Sequence, residues 1–198
     1  QLLRALGQPA EPASTFSLTT PFGADQSKSQ YAAAFERIQQ YIHAGDCYQI
    51  NLAQRFSATF SGDPLEAYTR LRERSPTPFS AYLEIPGGAL LSLSPERFIE
   101  VREGRVETRP IKGTRPRGQS ADEDHALAQE LLGCNKDRAE NLMIVDLLRN
   151  DLGRSCQPGS IRVPELFSLE SYPNVHHLVS SVTGQLRDDC DAIDLLMR

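Results

Sequence analysis

The sequence predicts an α+β domain built on antiparallel β-sheet and flanked by helices. Turn signals at Pro86-Gly87-Gly88 and Glu103-Gly104 divide residues 78–109 into successive antiparallel strands. Two helices and two further strands are predicted after them, the helices over about 121–132 and 135–150 and the strands over about 160–163 and 175–186. Runs of strand interrupted by a pair of helices are typical of this fold class.

The N-terminal region carries a weaker signal. Residues 1–29 are rich in Pro, Ser, Thr and Gln without a clear period, which predicts a linker or the remnant of a preceding domain. A helix is expected from Gln30, because apolar residues from Phe35 to Ile42 share one face. Gly45 supplies the stop of this helix.

Two elements are predicted between this helix and the turn-delimited strands. Residues 47–60 alternate between apolar and polar side chains, which indicates a strand with one buried apolar face and one amide-bearing face. A short helix is then expected, with Asp63 as its N-cap, Pro64 in its first turn and Glu66 completing a capping box.

Lys112 lies in the segment 110–118, which is rich in Gly, Pro and Arg and is predicted to be an irregular loop. Two prolines restrain this loop, Gly113 lets the backbone approach a ligand closely, and Thr114 offers a hydroxyl and an amide. A lysine held in this way and partly withdrawn from water can act as a nucleophile or a base. The alternative, which composition alone favours, is a solvated lysine beside two arginines.

Three carboxylates are further candidates. Asp137 and Glu140 share one face of a predicted helix, where their oxygens suit magnesium; the alternative is a solvated face on which Glu140 pairs with Lys136. Glu96 follows a strand at a proline turn, where it can act as a general acid or base or simply pair with Arg97.

His176 and His177 lie in a predicted apolar strand. Because adjacent strand residues face opposite ways, one histidine is predicted to point into the core or the site and the other outward. A histidine satisfied within the core is the alternative for the inward one.

Composition restricts the classes of function. The 198 residues suffice for one domain with a sizeable core, and the net charge of −5 with mixed signs argues against nucleic acid as the main partner. No apolar run approaches the roughly 20 residues that cross a membrane. Four widely separated cysteines without a C-x-x-C pair predict neither zinc nor disulfides and fit the cytoplasm. The start at Gln1 and the end inside a predicted helix indicate an internal fragment.

Five segments occur in the order found in one known family. They are Gly45-Asp-Cys-Tyr-Gln-Ile-Asn-Leu-Ala-Gln-Arg-Phe56, Ser94-Pro-Glu-Arg-Phe98, Pro110-Ile-Lys-Gly-Thr-Arg-Pro-Arg-Gly118, Asp137–Gly153 and Val175-His-His-Leu-Val-Ser180. Together they resemble the chorismate-binding enzymes, which include anthranilate, isochorismate, salicylate and aminodeoxychorismate synthases. The resemblance implies that residues 30–198 form the N-terminal part of the family's catalytic domain, without its C-terminal portion.

Within the family, Lys112 separates the branches. Anthranilate synthases typically carry a small alanine at this position, whereas aminodeoxychorismate synthases typically read Pro-Ile-Lys-Gly-Thr, as here. The resemblance implies that Lys112 attacks chorismate covalently before ammonia from a glutamine amidotransferase adds at C4. Gln49 stands where the water-activating members carry a lysine base, and an amide does not take a proton from water near neutral pH. Amination is therefore expected.

The other roles are likewise implied by the resemblance. Glu96 matches the family's general acid or base, and His177 matches a histidine beside the substrate ring, with His176 the less constrained of the pair. Gly113 and Thr114 would contact the substrate. The ligands expected for Mg²⁺ are Glu140, directly, and Asp137, through water.

The segment Pro78-Phe79-Ser80 lies where family members complete a tryptophan pocket. The alternatives to an aminodeoxychorismate synthase are an anthranilate synthase large component with an unusual lysine and a non-catalytic chorismate-binding paralogue.

Overall fold

A computed structural model describes residues 15–197 and divides them into two compact units. The first unit contains residues 15–76 and 81–93, and the second contains residues 77–80 and 94–197. Helices and antiparallel sheet make up both units, which confirms the predicted fold class. The residues that the sequence marks as candidates for chemistry lie in the second unit, except Gln49. No helix among residues 15–197 is both long enough and apolar enough to cross a membrane.

The first unit opens with short strands and a long helix. Strand β1 (Ser17–Leu18) and strand β2 (Gly23–Ala24) precede helix α1 (Lys28–Ala44). Ser27 caps this helix in a reciprocal capping box with Gln30, and Gly45 ends it in the left-handed conformation at φ 81°. The end of the helix is as predicted. Of the predicted linker, residues 1–14 lie outside the described part, and residues 17–24 contribute strands.

The strand predicted over residues 47–60 is wrong for most of its length. Only strand β3 (Phe56–Ser57) and strand β4 (Phe60–Ser61) form, paired antiparallel with β2 and β1 respectively. Tyr48 and Ile50, expected on a buried face, are exposed. An alternating pattern becomes a strand only where a neighbouring strand accepts its hydrogen bonds, and residues 47–55 have none in the described part of the chain.

Helix α2 (Pro64–Arg74) confirms one half of the predicted cap. The Asp63 carboxylate accepts a hydrogen bond of 2.8 Å from the Leu65 amide. The Glu66 carboxylate, however, accepts from the Phe16 amide instead of returning to the cap, so the predicted capping box does not form. The backbone amide of Phe16, fifty positions away and just before β1, takes this carboxylate from the helix cap.

The second unit is built on a five-stranded antiparallel sheet in the order β10-β11-β8-β7, with β9 also paired to β11. Its strands are β7 (Arg97–Arg102), β8 (Arg105–Arg109), β9 (Ile111–Pro116), β10 (Arg162–Ser171) and β11 (Val175–Gln185). Two earlier strands, β5 (Phe79–Ile85) and β6 (Gly88–Ser94), form a separate two-stranded sheet, and most of their residues belong to the first unit. The turns at Gly87 and at Glu103-Gly104 adopt positive φ, as the turn signals predict.

Residues 111–116 form a strand, so the prediction of an irregular loop over 110–118 is wrong there. Strand β11 is eleven residues long; its first half pairs with β9 and its second half pairs with β8. Pro110 interrupts the two paired segments only locally, and its carbonyl still accepts a 3.1 Å hydrogen bond from the Ser180 amide. The long partner strand therefore orders what looks irregular in sequence.

Two helices pack against this sheet. They are α3 (Ala121–Gly133) and α4 (Asn135–Ser155), and α4 continues five residues beyond its predicted end at 150. Asn141 of α4 is fully buried; it donates to the Leu178 carbonyl at 3.2 Å and accepts from the Ser180 hydroxyl at 2.6 Å. The core between helix and sheet consists of Val106, Val145, Leu152, Cys156, Val182 and Leu186. A short helix, α5 (Ala192–Met197), ends the described residues.

Candidate active site

Lys112 is the second residue of β9 and is half-buried. Its ammonium has no hydrogen-bond or ion-pair partner among residues 15–197. Arg115 and Arg117, by contrast, are both engaged by carboxylates. A half-buried amine that no carboxylate holds is open to a ligand, which distinguishes Lys112 from the solvated loop lysine of the alternative interpretation.

Gly113 is required at its position for two reasons. Its φ of +95° lies in the region that favours glycine. A Cβ added there would also come within 2.9 Å of both the Asp137 Cβ and the Leu131 Cδ1. The backbone beside Lys112 therefore rests directly on helices α3 and α4.

Glu96 is tied to the strand that carries Lys112. Its Oε1 accepts a 2.9 Å hydrogen bond from the amide of Ile111, the residue before the lysine. It forms no ion pair with Arg97, which pairs instead with Glu100 and Glu107. The exposed Glu96 side chain borders a cleft of about 280 Å³ whose walls include aromatic, proline and isoleucine side chains. A carboxylate in this position is suitable as an acid or base for a ligand in the cleft.

His177 is buried, and its side chain lies against β9, the strand that carries Lys112. Its Nδ1 lies 2.9 Å from the Thr114 hydroxyl, its partner in the β9–β11 register. Burial lowers the pKa of His177, while Glu170, Glu96 and the Gly113 backbone oppose this by raising it. Net depression of the pKa favours the neutral imidazole near pH 7, the form able to accept a proton.

The expectations for His176 are wrong. This residue does not point outward; it is more buried than His177, at 2% exposure, and both of its ring nitrogens are occupied. Nε2 lies 3.0 Å from the Asp124 carboxylate and Nδ1 lies 2.8 Å from the Ser171 hydroxyl. Both faces of β11 are buried, so alternation along the strand does not send either histidine to solvent.

Asp124 joins His176 to the end of β9. Its carboxylate accepts two 2.7 Å hydrogen bonds from the Arg117 guanidinium and one of 2.8 Å from the Gly118 amide. The Arg117 guanidinium, followed by the Gly118 amide and His176, holds the pKa of Asp124 well below its ordinary range. Helix α3 thus clamps the segment after Lys112. No local pattern in the sequence marks this clamp.

Asp137 is held by protein groups. Its Oδ2 lies 3.1 Å from Nη1 of Arg115, whose Nε donates to Glu130 at 2.9 Å. The contact is an ion pair without hydrogen-bond alignment, since the buried Oδ2 has no hydrogen-bond donor among the described residues. Asp137 also forms the wall beneath Gly113. Its carboxylate therefore serves the packing of β9, which leaves it poorly placed as a direct metal ligand.

Glu140 differs from Asp137 in having no ion-pair partner among residues 15–197. It is half-buried, and the i, i+4 pair with Lys136 that the alternative interpretation requires does not form. A half-buried carboxylate with free oxygens fits Mg²⁺ as one ligand. The described residues contain no group of three His, Cys, Asp or Glu side chains that would complete such a site. The magnesium ligands therefore stay a prediction, which Glu140 fits better than Asp137.

A charged group beside His177 was not marked by any sequence signal. The Arg109 guanidinium forms ion pairs with Glu165, at 3.2 Å, and with Glu170. The Tyr172 hydroxyl donates to Glu170 at 2.7 Å, and its ring stands edge-on to His177 with the ring centres 5.7 Å apart. The ion pairs of Arg109 join residues 56 and 61 positions apart, which the pairing of β11 with both β10 and β8 brings together.

The remaining predicted residues occupy different places. Gln49 is half-buried in the irregular segment of the first unit, and its role stays a prediction. Pro78, Phe79 and Ser80 belong to the second unit, where Ser80 bonds Thr77 and the Arg97 guanidinium lies 5.2 Å from the centre of the Phe79 ring. The tryptophan pocket likewise stays a prediction.

Comparison with known proteins gives a consistent result. The sequence matches the family described as chorismate binding enzyme over residues 2–198. Aminodeoxychorismate synthase component 1 of Klebsiella aerogenes is 54% identical over 189 residues, which cover 96% of this chain and 42% of that relative. Anthranilate synthase component 1 of Mycolicibacterium smegmatis is 43% identical, covering 98% of this chain and 38% of that protein.

The fold is matched as well. The crystal structure of anthranilate synthase component I from Streptococcus pneumoniae superimposes with a TM-score of 0.84 at 33% identity, covering 98% of this chain and 43% of that one. The chain thus spans between 38% and 43% of the length of these three proteins.

Proposed function

This chain belongs to the chorismate-binding enzyme family, and on that premise we propose that it carries part of the active site of an enzyme that aminates chorismate at C4, forming 4-amino-4-deoxychorismate. Relatives named aminodeoxychorismate synthase component 1 reach 54% identity, whereas those named anthranilate synthase component 1 reach 43%. The sequence Pro-Ile-Lys-Gly-Thr at 110–114 supports the same branch.

The observation that carries the proposal is the setting of Lys112. On one side of it, the Ile111 amide binds the Glu96 carboxylate, and on the other side the Thr114 hydroxyl lies against His177. The strand that carries the Lys112 amine is thus contacted by a carboxylate before it and by an imidazole after it, which supports the proposal. Covalent substitution needs such a nucleophile with a proton donor near the leaving group.

In the proposed reaction, the Lys112 amine attacks ring carbon C2 while the bond between C4 and its hydroxyl breaks. Glu96 donates the proton with which the hydroxyl leaves as water. Ammonia then adds at C4, the C2–nitrogen bond breaks, and the lysine amine is released. Glu96 recovers its proton from the incoming nitrogen. Two substitutions of moderate barrier thereby replace a single difficult one.

Magnesium and a partner complete the proposal. A Mg²⁺ ion with Glu140 among its ligands would supply positive charge for the ring carboxylate and the departing hydroxyl. Ammonia would come from a glutamine amidotransferase subunit or domain, in keeping with the designation of the relatives as component 1. The enzyme would work in the cytoplasm, since all four cysteines are free thiols.

Product analysis tests this function. The full-length enzyme carrying this sequence is incubated with chorismate, Mg²⁺ and an ammonium salt, and the products are separated by chromatography and identified by mass spectrometry. The proposal expects the para-amino product. The ortho product, anthranilate, would instead establish the second candidate, an anthranilate synthase, which the similarity to the S. pneumoniae structure favours. Bound chorismate without any product would indicate a non-catalytic paralogue.

A further inference from the structure

The group formed by Arg109, Glu170 and Tyr172 has no part in the reaction proposed above. Glu170 is the cross-strand partner of His177 in the β10–β11 register, so the two side chains stand next to each other on one face of the sheet. Glu170 is half-buried, with 29% of its side chain exposed. A carboxylate beside a buried imidazole raises the proton affinity of that ring, and the groups that hold the carboxylate in turn decide where its charge lies.

Glu170 is itself held from two directions. Arg109 pairs with one of its oxygens, and the Tyr172 hydroxyl donates to the other at 2.7 Å. Burial, followed by the hydrogen bond to Glu170, raises the pKa of Tyr172 to about 12, so the phenol stays protonated and remains a donor. Tyr172 also touches the imidazole, since its ring lies edge-on to His177. The carboxylate is therefore confined to one position.

We propose that Glu170, confined by Arg109 and Tyr172, is a positioning residue for His177. The proposal rests on the proposed function, because that function makes the imidazole of His177 part of the active site. Glu170 supplies a fixed negative charge beside the imidazole, while Thr114 holds the ring from the opposite strand at 2.9 Å. The charged or titratable groups that act on His177 are Glu170 and Tyr172 from the β10 side and Glu96 from the turn before β7, with Arg109 acting through Glu170.

Glu165 provides a matched control. It also pairs with Arg109, at 3.2 Å, but its cross-strand partner is Ser181, four residues along β11 from His177. Replacing Glu165 therefore removes one carboxylate from Arg109 without removing the charge beside the imidazole. Glu170→Asp retains the charge and tests whether charge or shape matters.

The experiment follows the proton titration of His177 by NMR in the full-length enzyme labelled with ¹³C-histidine, together with kcat and KM over pH. The His177 signal is assigned by its loss in His177→Asn. Glu170→Gln is expected to lower the titration midpoint of His177 and to reduce kcat about tenfold, with KM nearly unchanged, since a proton-transferring group contributes about 10²–10⁴-fold. Glu165→Gln should leave the midpoint in place, and Glu170→Asp should restore most of it.

An unchanged His177 titration and kcat in Glu170→Gln would overturn the proposal, as would an equal effect of Glu165→Gln. If Glu170→Gln fails to fold, Tyr172→Phe replaces it, because it releases the carboxylate without removing charge. Loss of kcat and a changed His177 signal are expected for Tyr172→Phe, and no change in either contradicts the positioning role. If the unaltered enzyme forms no aminated product, the proposed function fails, whereas the titration still decides whether Glu170 acts on His177.

Discussion

The carboxylate of Glu96 accepts a 2.9 Å hydrogen bond from the backbone amide of Ile111, so the candidate acid is fastened to the strand that carries the candidate nucleophile. The two residues are fifteen positions apart, and β7 and β8 lie between them. Any shift of β9 therefore moves Lys112 and Glu96 together.

Gly113→Ala should destabilise the protein. The new Cβ would stand 2.9 Å from Asp137 and Leu131 side-chain atoms, and a φ of +95° is strained for alanine. A loss of about 1–3 kcal/mol in the free energy of unfolding is expected. Gly133→Ala is the matched control, because a Cβ at Gly133 meets nothing within 4 Å. Denaturant unfolding of both variants measures the difference, and equal stability of the two would contradict the packing described for Gly113.

Asp124→Asn should make the protein less stable at neutral pH and reduce its sensitivity to acid. The Arg117 guanidinium, the Gly118 amide and His176 depress the folded pKa of Asp124 below its ordinary value of 3.8. A depressed folded pKa contributes stability that is fully present above the unfolded pKa and is lost as the pH falls towards the folded pKa. Unmodified protein should therefore lose part of its stability below about pH 4.

Thermal unfolding between pH 2 and pH 7 measures this dependence. Asp122→Asn, at an exposed residue in the first turn of the same helix, is the control and should keep the pH dependence of the unmodified protein. A parallel pH dependence in Asp124→Asn and the unmodified protein would show that the clamp does not act through this carboxylate.

Lys112→Ala should abolish most para-amination in the full-length enzyme while leaving the fold intact. The side chain is half-buried and has no partner among the described residues, so its loss removes no native ion pair. Loss of a covalent nucleophile costs orders of magnitude in kcat, although direct attack by ammonia can restore part of the rate. Circular dichroism and steady-state rates at raised ammonium concentration measure both effects. Lys28→Ala, at the exposed start of α1, serves as control, and full activity of Lys112→Ala would refute the nucleophile assignment.

Glu140→Gln should change the magnesium requirement of the enzyme, whereas Asp137→Asn should change its stability. Glu140 has free oxygens, so its replacement should raise the Mg²⁺ concentration for half-maximal activity by about tenfold or more. Asp137 pairs with Arg115 and supports Gly113, so its replacement should lower stability with little change in the magnesium requirement. Activity titrated with Mg²⁺ and thermal unfolding separate the two effects. Similar small changes from both variants would indicate that Glu140 lies on a solvated helix face and does not bind Mg²⁺.

Local signals in the sequence were sufficient for several features. The end of α1 at Gly45, the cap at Asp63 and the turn at Glu103-Gly104 follow from backbone preferences of single residues, and all three are confirmed. The fold class and the family likewise followed from patterns and ordered motifs, because such motifs are short and contiguous. Helix ends, caps and tight turns depend on neighbours within about four residues.

Tertiary structure decided the features that depend on partners distant in sequence. Residues 47–55 alternate like a strand but find no strand beside them, whereas residues 111–116 look irregular but are ordered by pairing with β11. The burial of His176, the pairing of Asp137 with Arg115 and the cross-strand position of Glu170 opposite His177 arise in the same way. A strand's hydrogen bonds and a buried charge must be satisfied by whatever the fold places alongside, and no local pattern records which group that is.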